Sequence, residues 1–161
     1  MEQAISDSAL ALVSAGACII YPTSTQPALG CILTSAALDN LYNVKKRPSE
    51  MPVSVGVVDL EQAANLVELT DDISEILSSF PEGSLTIILP AKEPLDARLG
   101  TNKIAIRVVA HPTAKALLRA CGPLTATSAN ISGTLVLPKM TAPAAFRRCA
   151  ASASSPAILS L

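Results

Sequence analysis

Hydrophobic positions recur along this chain at two spacings, and the spacing changes from segment to segment. Over residues 3–15, Ile5, Ala9, Leu12 and Val13 fall three or four apart, which is one face of a helix, and Gly16 is placed to end it. The apolar run ACIIYP then predicts a short strand closing at Pro22, and TSTQPALG, rich in hydroxyls and turn formers, reads as a loop. Leu38, Leu41 and Tyr42 anchor a predicted helix over 35–44, and KKRPSEMP is a charged loop bounded by prolines. VSVGVV is dominated by β-branched residues and predicts a strand. DLEQAANLVEL predicts a helix capped by Asp59, and a second helix runs from Asp71 to Ser79, begun by the acidic pair Asp71-Asp72.

After a PEG turn, SLTIILP reads as a strand, KEPLDARLGTNK as a long polar loop and IAIRVV as another strand. PTAKALLRAC predicts a helix with Pro112 in its first turn. PLTATSANISG is a short strand running into a Ser/Asn/Gly loop, TAPAAFRRCA predicts one more helix, and the tail SASSPAILSL carries little structural signal. Strands alternate with helices, the pattern of an α/β layer fold, with parallel and mixed pairing both open.

Composition narrows this picture. A chain of 161 residues is expected to form one domain, 1–161, and to bury roughly two-thirds of its unfolded surface without a disulfide. Half the residues are hydrophobic but only 2% are aromatic, so the core must be aliphatic. A net charge of -1 argues against a bulk basic surface and leaves room for a local basic patch. Cys18, Cys31, Cys121 and Cys149 make no CxxC pair and there is one histidine, so no metal site is expected. Free buried thiols in a reducing compartment are the simpler account. No apolar stretch reaches the roughly 18–20 residues of a membrane span. The segment MEQAISDSAL carries acids without a basic flank and does not read as a secretory signal. The expected location is cytoplasmic.

Three loops carry candidate chemistry. Hydroxyls in Tyr21-Pro22-Thr23-Ser24-Thr25 either cap a turn or orient a carboxylate or phosphate at a strand end. Lys45-Lys46-Arg47-Pro48 offers mobile point charges and a planar guanidinium fork to a polyphosphate, or is a solvated run at a helix C-terminus. Ser128-Ala129-Asn130-Ile131-Ser132-Gly133 is either a simple turn or a place where backbone approaches a ligand closely. Arg107, in a strand between apolar neighbours, points into a cleft or out to solvent. His111, before Pro112, suits helix capping better than acid–base work. Glu61 and Glu68 read as solvated helix residues.

Taken in order, these segments resemble the YrdC/Sua5/YciO family of threonylcarbamoyl-adenylate synthase domains. The likeness lies in Tyr21 to Thr25, in Lys45-Lys46-Arg47-Pro48, in Phe80 to Thr86, in Ala105 to Pro112 and in Ser128 to Gly133, and it covers about residues 8–148. It implies a twisted, open, mixed α/β sheet flanked by helices, a YrdC-like fold. It also implies an enzyme that joins L-threonine, bicarbonate and ATP, with Mg2+ on the nucleotide, into threonylcarbamoyl-AMP. A separate tRNA threonylcarbamoyl transferase would then carry that group to adenosine 37 of tRNA. Lys45 and Arg47 would act in catalysis and hold the nucleotide with Thr127, Ser128, Asn130 and Ser132. Thr23, Thr25, Arg107 and Ser128 would surround threonine.

Gln26-Pro27-Ala28 stands where many synthases carry Val-Tyr-Gly, and the ALGC ending resembles the YciO branch. The alternative implied there is a non-catalytic protein that binds nucleotide or double-stranded RNA.

Overall fold

The computed structural model describes residues 5–130 and the backbone of residues 159–160. The element order is α1 (Asp7–Ser14), β1 (Ile19–Tyr21), β2 (Ala28–Gly30), α2 (Ser35–Lys45), β3 (Val55–Val57), α3 (Leu60–Ala63), α4 (Ile73–Ser78), β4 (Ile87–Pro90), a 3-10 turn (Ala97–Leu99), β5 (Lys103–Val108), α5 (Pro112–Cys121), β6 (Leu124–Thr125), β7 (Thr127–Ser128) and β8 (Leu159–Ser160). The strands hydrogen-bond in two sets of four, ordered β7-β2-β1-β8 and β4-β5-β3-β6.

Pairing is mixed. β1 runs antiparallel to β2 and parallel to β8, while β3 runs parallel to β5 and antiparallel to β6. The two sets meet where β6 passes into β7. Thr125 donates its N–H to Cys31 O (2.9 Å), and Ala126 donates to Ser54 O (2.8 Å), so one extended segment closes both sets.

β1 and β2 are buried along their whole length. Side chains alternate between faces of a strand, so Cys18 and Ile20 enter one apolar cluster with Leu29, Cys31 and Leu38. Ile19 and Tyr21 enter the other, against Val13 of α1 and Leu117 and Leu118 of α5. Gly30 is required by close approach: a Cβ there would lie 2.6 Å from Thr125 O and 2.7 Å from the Tyr21 ring. The Tyr21 hydroxyl donates to Thr125 O at 3.0 Å, tying β1 to β6.

Several expected boundaries move, some for tertiary reasons and some for local caps. The segment read as a loop through Gly30 contains β2, three small or aliphatic residues captured between β1 and β7. The helix expected after Asp59 lasts only over α3, although Asp59 Oδ1 does accept from Gln62 N at 2.8 Å. Beyond it, Glu68 N bonds Pro90 O and Lys92 N bonds Leu66 O, both at 2.9 Å. The end of β4 thus claims the backbone that would have continued the helix. α1 begins at Asp7, where Ser6 Oγ accepts from Ala9 N. The long polar loop folds its middle into the 3-10 turn, capped by Asp96 and burying Leu99. In the tail, Leu159 and Ser160 pair with Ile19 and Ile20 as β8. The helix expected over 141–150 lies outside the described residues, as does Cys149. Among the described residues no helix is long and apolar enough to cross a membrane.

Candidate active site

Two concavities sit on either side of Ser128. The first is a pocket of about 100 Å³ lined by Thr23, Ser24, Thr25, Gln26, Ala28, Gly83, Arg107, Val109, Ala110, Ala126, Thr127 and Ser128. The second is an open cleft of about 410 Å³ lined by Lys45, Lys46, Arg47, Pro48, Met51, Ser128 and Asn130.

The pocket is built from strand ends. β1 stops at Pro22, and Thr23 folds the following turn on itself: its Oγ1 donates to Gln26 O at 2.6 Å and accepts from Thr25 N at 3.2 Å. Arg107 of β5 lies opposite Gly56 of β3, on the face away from the aliphatic cluster. Its Nε donates to Gly83 O (2.8 Å) and its Nη2 to Thr25 Oγ1 (3.3 Å). The open alternative for Arg107 is thereby decided in favour of the pocket. Gly83 has φ +75°, and a Cβ there would meet the Ala110 Cβ at 2.8 Å. The glycine lets the PEG turn close against β5 and present its carbonyl to Arg107. Glu82 of the same turn pairs with Lys115 on α5.

The cleft is built from the end of α2. Lys46 adopts left-handed backbone, φ 50° and ψ 42°, and its N–H returns to Asn43 O while that of Arg47 returns to Tyr42 O. This turn sends three successive cations in three directions. Lys45 is buried at 2% exposure. Its Nζ donates to Ser128 O (2.6 Å) and Asn130 O (2.9 Å), with Ser128 Oγ and Asn130 Oδ1 each at 3.3 Å. Lys46 is exposed. Arg47 is half-buried, donating from Nε to Met51 O and from Nη2 to Pro52 O, both at 2.8 Å. Burial, reinforced by the Arg47 charge, lowers the Lys45 ammonium from its ordinary value to about 8. Behind the cleft, Arg98 bonds Asp96 and Asp39 and lies 5.7 Å over the Tyr42 ring, fixing α2 to the 3-10 turn.

The structure thus brings Thr23, Thr25, Arg107, Thr127 and Ser128 together around the pocket, and Lys45, Arg47, Ser128 and Asn130 around the cleft. Ser132 lies outside the described residues. Sequence reasoning missed Gly83, Gln26 and Ala126. Only the PEG turn carried a signal for any of them, since a turn glycine of positive φ is where backbone approaches its neighbours. His111 caps α5, its Nδ1 accepting from Thr113 N at 3.2 Å. Asp72 precedes α4 without a side-chain capping bond.

A small hydroxyl-and-guanidinium pocket thus shares Ser128 with a cation-lined cleft, on a mixed α/β sheet. The chain belongs to the Sua5/YciO/YrdC family, whose model, described as "Telomere recombination", matches residues 11–152. It is 40% identical over 126 residues to the threonylcarbamoyl-AMP synthase of Aliivibrio fischeri, covering 73% of this chain and 68% of that protein. It is 36% identical over 131 residues to the Bacillus subtilis threonylcarbamoyl-AMP synthase, covering 78% of this chain and only 38% of that one. Its fold is similar to that of P. abyssi Sua5 complexed with L-threonine, at a TM-score of 0.72 and 30% identity, over 79% of this chain and 39% of the other. The chain therefore spans between about two-fifths and two-thirds of the length of these relatives.

Proposed function

We propose that this chain forms threonylcarbamoyl-AMP from L-threonine, bicarbonate and ATP, releasing pyrophosphate. The observation that carries the reading is the meeting of pocket and cleft at Ser128. A carboxylate-bearing amino acid in the first and a triphosphate in the second would lie edge to edge. The threonine amine takes up bicarbonate-derived CO2 as a carbamate. A carbamate oxygen then attacks the α-phosphorus, and pyrophosphate leaves in line.

Both reactants are anions, so the barrier is dominated by bringing like charges together, and fixed cations lower it. In this reading Arg107 holds the threonine carboxylate, Thr23 and Thr25 orient its amine and hydroxyl, and Lys45, Lys46 and Arg47 neutralise the phosphates. Ser128 borders both substrates, with Thr127 on the pocket side and Asn130 on the cleft side. No side chain need act as a nucleophile, and positioning supplies much of the rate. Among the described residues no three His, Cys, Asp or Glu side chains converge to hold a metal. Magnesium would arrive with the triphosphate and neutralise its charge. The product would pass to a transferase acting on tRNA.

Pyrophosphate release from ATP, with magnesium and bicarbonate, tests the reading. Release that requires L-threonine and disappears in Lys45→Ala supports it. Nucleotide binding without threonine-dependent release overturns it in favour of a binding role for the same cleft.

A further inference from the structure

Cys18 and Cys31 form a second chemical site, away from the cleft. Both are buried, at 3% and 0% exposure, and both are free thiols. The register of β1 against β2 pairs Ile19 with Gly30, so continuing it by one residue sets Cys18 directly opposite Cys31. The hydrogen bonds of Cys31 show which kind of pair this is. Its carbonyl accepts from Thr125 N at 2.9 Å, and its N–H donates to Thr125 Oγ1 at 3.0 Å. Both backbone groups thus face β6 and away from β1, so Cys18 and Cys31 occupy a non-hydrogen-bonded position. There the Cα atoms of opposed residues come to about 4.5 Å, within the span a disulfide bridges.

We propose that Cys18 and Cys31 are a thiol pair preset to close into a reversible cross-strand disulfide when the protein meets hydrogen peroxide. Cys31 is the attacking sulfur. The hydrogen bond it receives from Cys18 holds its thiol below the ordinary value, against burial, with a further contact from Thr125 Oγ1 at 3.7 Å. Cys18, as that donor and also buried, is pushed up. The Cys31 thiolate attacks a peroxide oxygen: an S–O bond forms, the O–O bond breaks, and the departing hydroxide is protonated to water. Cys18 sulfur then attacks the sulfenic sulfur: the S–S bond forms, the S–O bond breaks, and the oxygen leaves as water, taking up the thiol proton. Two thiols lose two electrons and two protons, and the peroxide becomes two waters. Cys18 lies between the Gly16 turn and the start of β1, so local opening of that junction is the route by which a molecule as small as peroxide reaches the pair.

The full chain is treated with hydrogen peroxide, its remaining thiols are alkylated, and the digest is mapped by mass spectrometry. The expected result is one linkage, Cys18 to Cys31, removed by dithiothreitol and absent in Cys31→Ser. Cys121→Ser leaves it intact. The oxidised protein should melt about 5–10 °C higher, the scale for a cross-link over a short loop in a chain of this size. Linkage to Cys121 or Cys149, oxidation of Cys31 beyond sulfenic acid with Cys18 still free, or a lowered melting temperature would each overturn the proposal.

Discussion

The pocket holds one cation at one depth and the cleft holds three at three depths. In the pocket, Arg107 is already engaged by Gly83 O and Thr25 Oγ1, and the surrounding turn is tied by Thr23 to its own backbone. Its cation is fixed on a strand within about 100 Å³. In the cleft, three consecutive cations are splayed by one left-handed residue around about 410 Å³: Lys45 is buried on Ser128 and Asn130, Arg47 is tied to its own loop, and Lys46 is exposed. A small preorganised pocket discriminates between substrates, because a wrong group leaves a paired site unpaired. An open cationic cleft neutralises and tolerates. The division fits a reaction with one small substrate and one large, highly charged one.

Substitutions in each region should separate these roles. Lys45→Met should have the largest effect, since Ser128 O and Asn130 O lose their buried donor. A loss of about 2–4 kcal/mol in denaturant unfolding is expected, with pyrophosphate release down by about 100-fold or more. Full activity in this variant would shift the cleft's role to Lys46 and Arg47. Arg107→Lys should follow. Loss of the planar fork raises KM for the amino acid by about 10–100-fold while kcat changes less, and an equal fall in both would erase the contrast between the regions.

The third effect is pH dependence. The folded Lys45 ammonium titrates near 8, below its ordinary value of 10.5. Between those values the unfolded chain holds the proton more tightly, so this group makes stability rise with pH across that window. Nucleotide affinity should fall over the same range as the cleft loses a charge, by about tenfold or less at moderate salt, and calorimetric titration in Lys45→Met should show neither trend. The smallest effect is expected for Lys46→Gly. Relief of the left-handed backbone, about 1–2 kcal/mol, less the extra backbone entropy of glycine, about 0.5–1 kcal/mol, leaves a small net gain, while loss of one exposed cation weakens triphosphate binding by about threefold. A larger loss would mean that Lys46 touches the nucleotide directly.

The sequence already carried α1 and α2 in their apolar spacing and α5 in Pro112 with His111 before it; the structure adds the caps Ser6 and Thr34. β2 was hidden because it is three residues long, follows Pro27 and contains no β-branched residue. Only burial between β1 and β7 makes it a strand. The site's residue types were legible as an ordered set of segments, but their directions were not. Which of Lys45, Lys46 and Arg47 turns inward depends on the backbone of Lys46, and composition does not encode that. The acceptor of Arg107 likewise lies 24 residues away on another turn.

The segment Leu124 to Ser128 also sets a timetable. Its bonds to Tyr21, Cys31, Lys45 and Ser54 span 104, 94, 83 and 72 residues. Contacts so distant along the chain form late, after the local helices and the β1–β2 hairpin have closed. A growing polypeptide can therefore hold both sheets' early strands and still lack the wall that pocket and cleft share at Ser128. Completion of the shared wall becomes a report that folding has finished, and a chain ending before Leu124 would carry the cations of the cleft without the Ser128 carbonyl that accepts from Lys45.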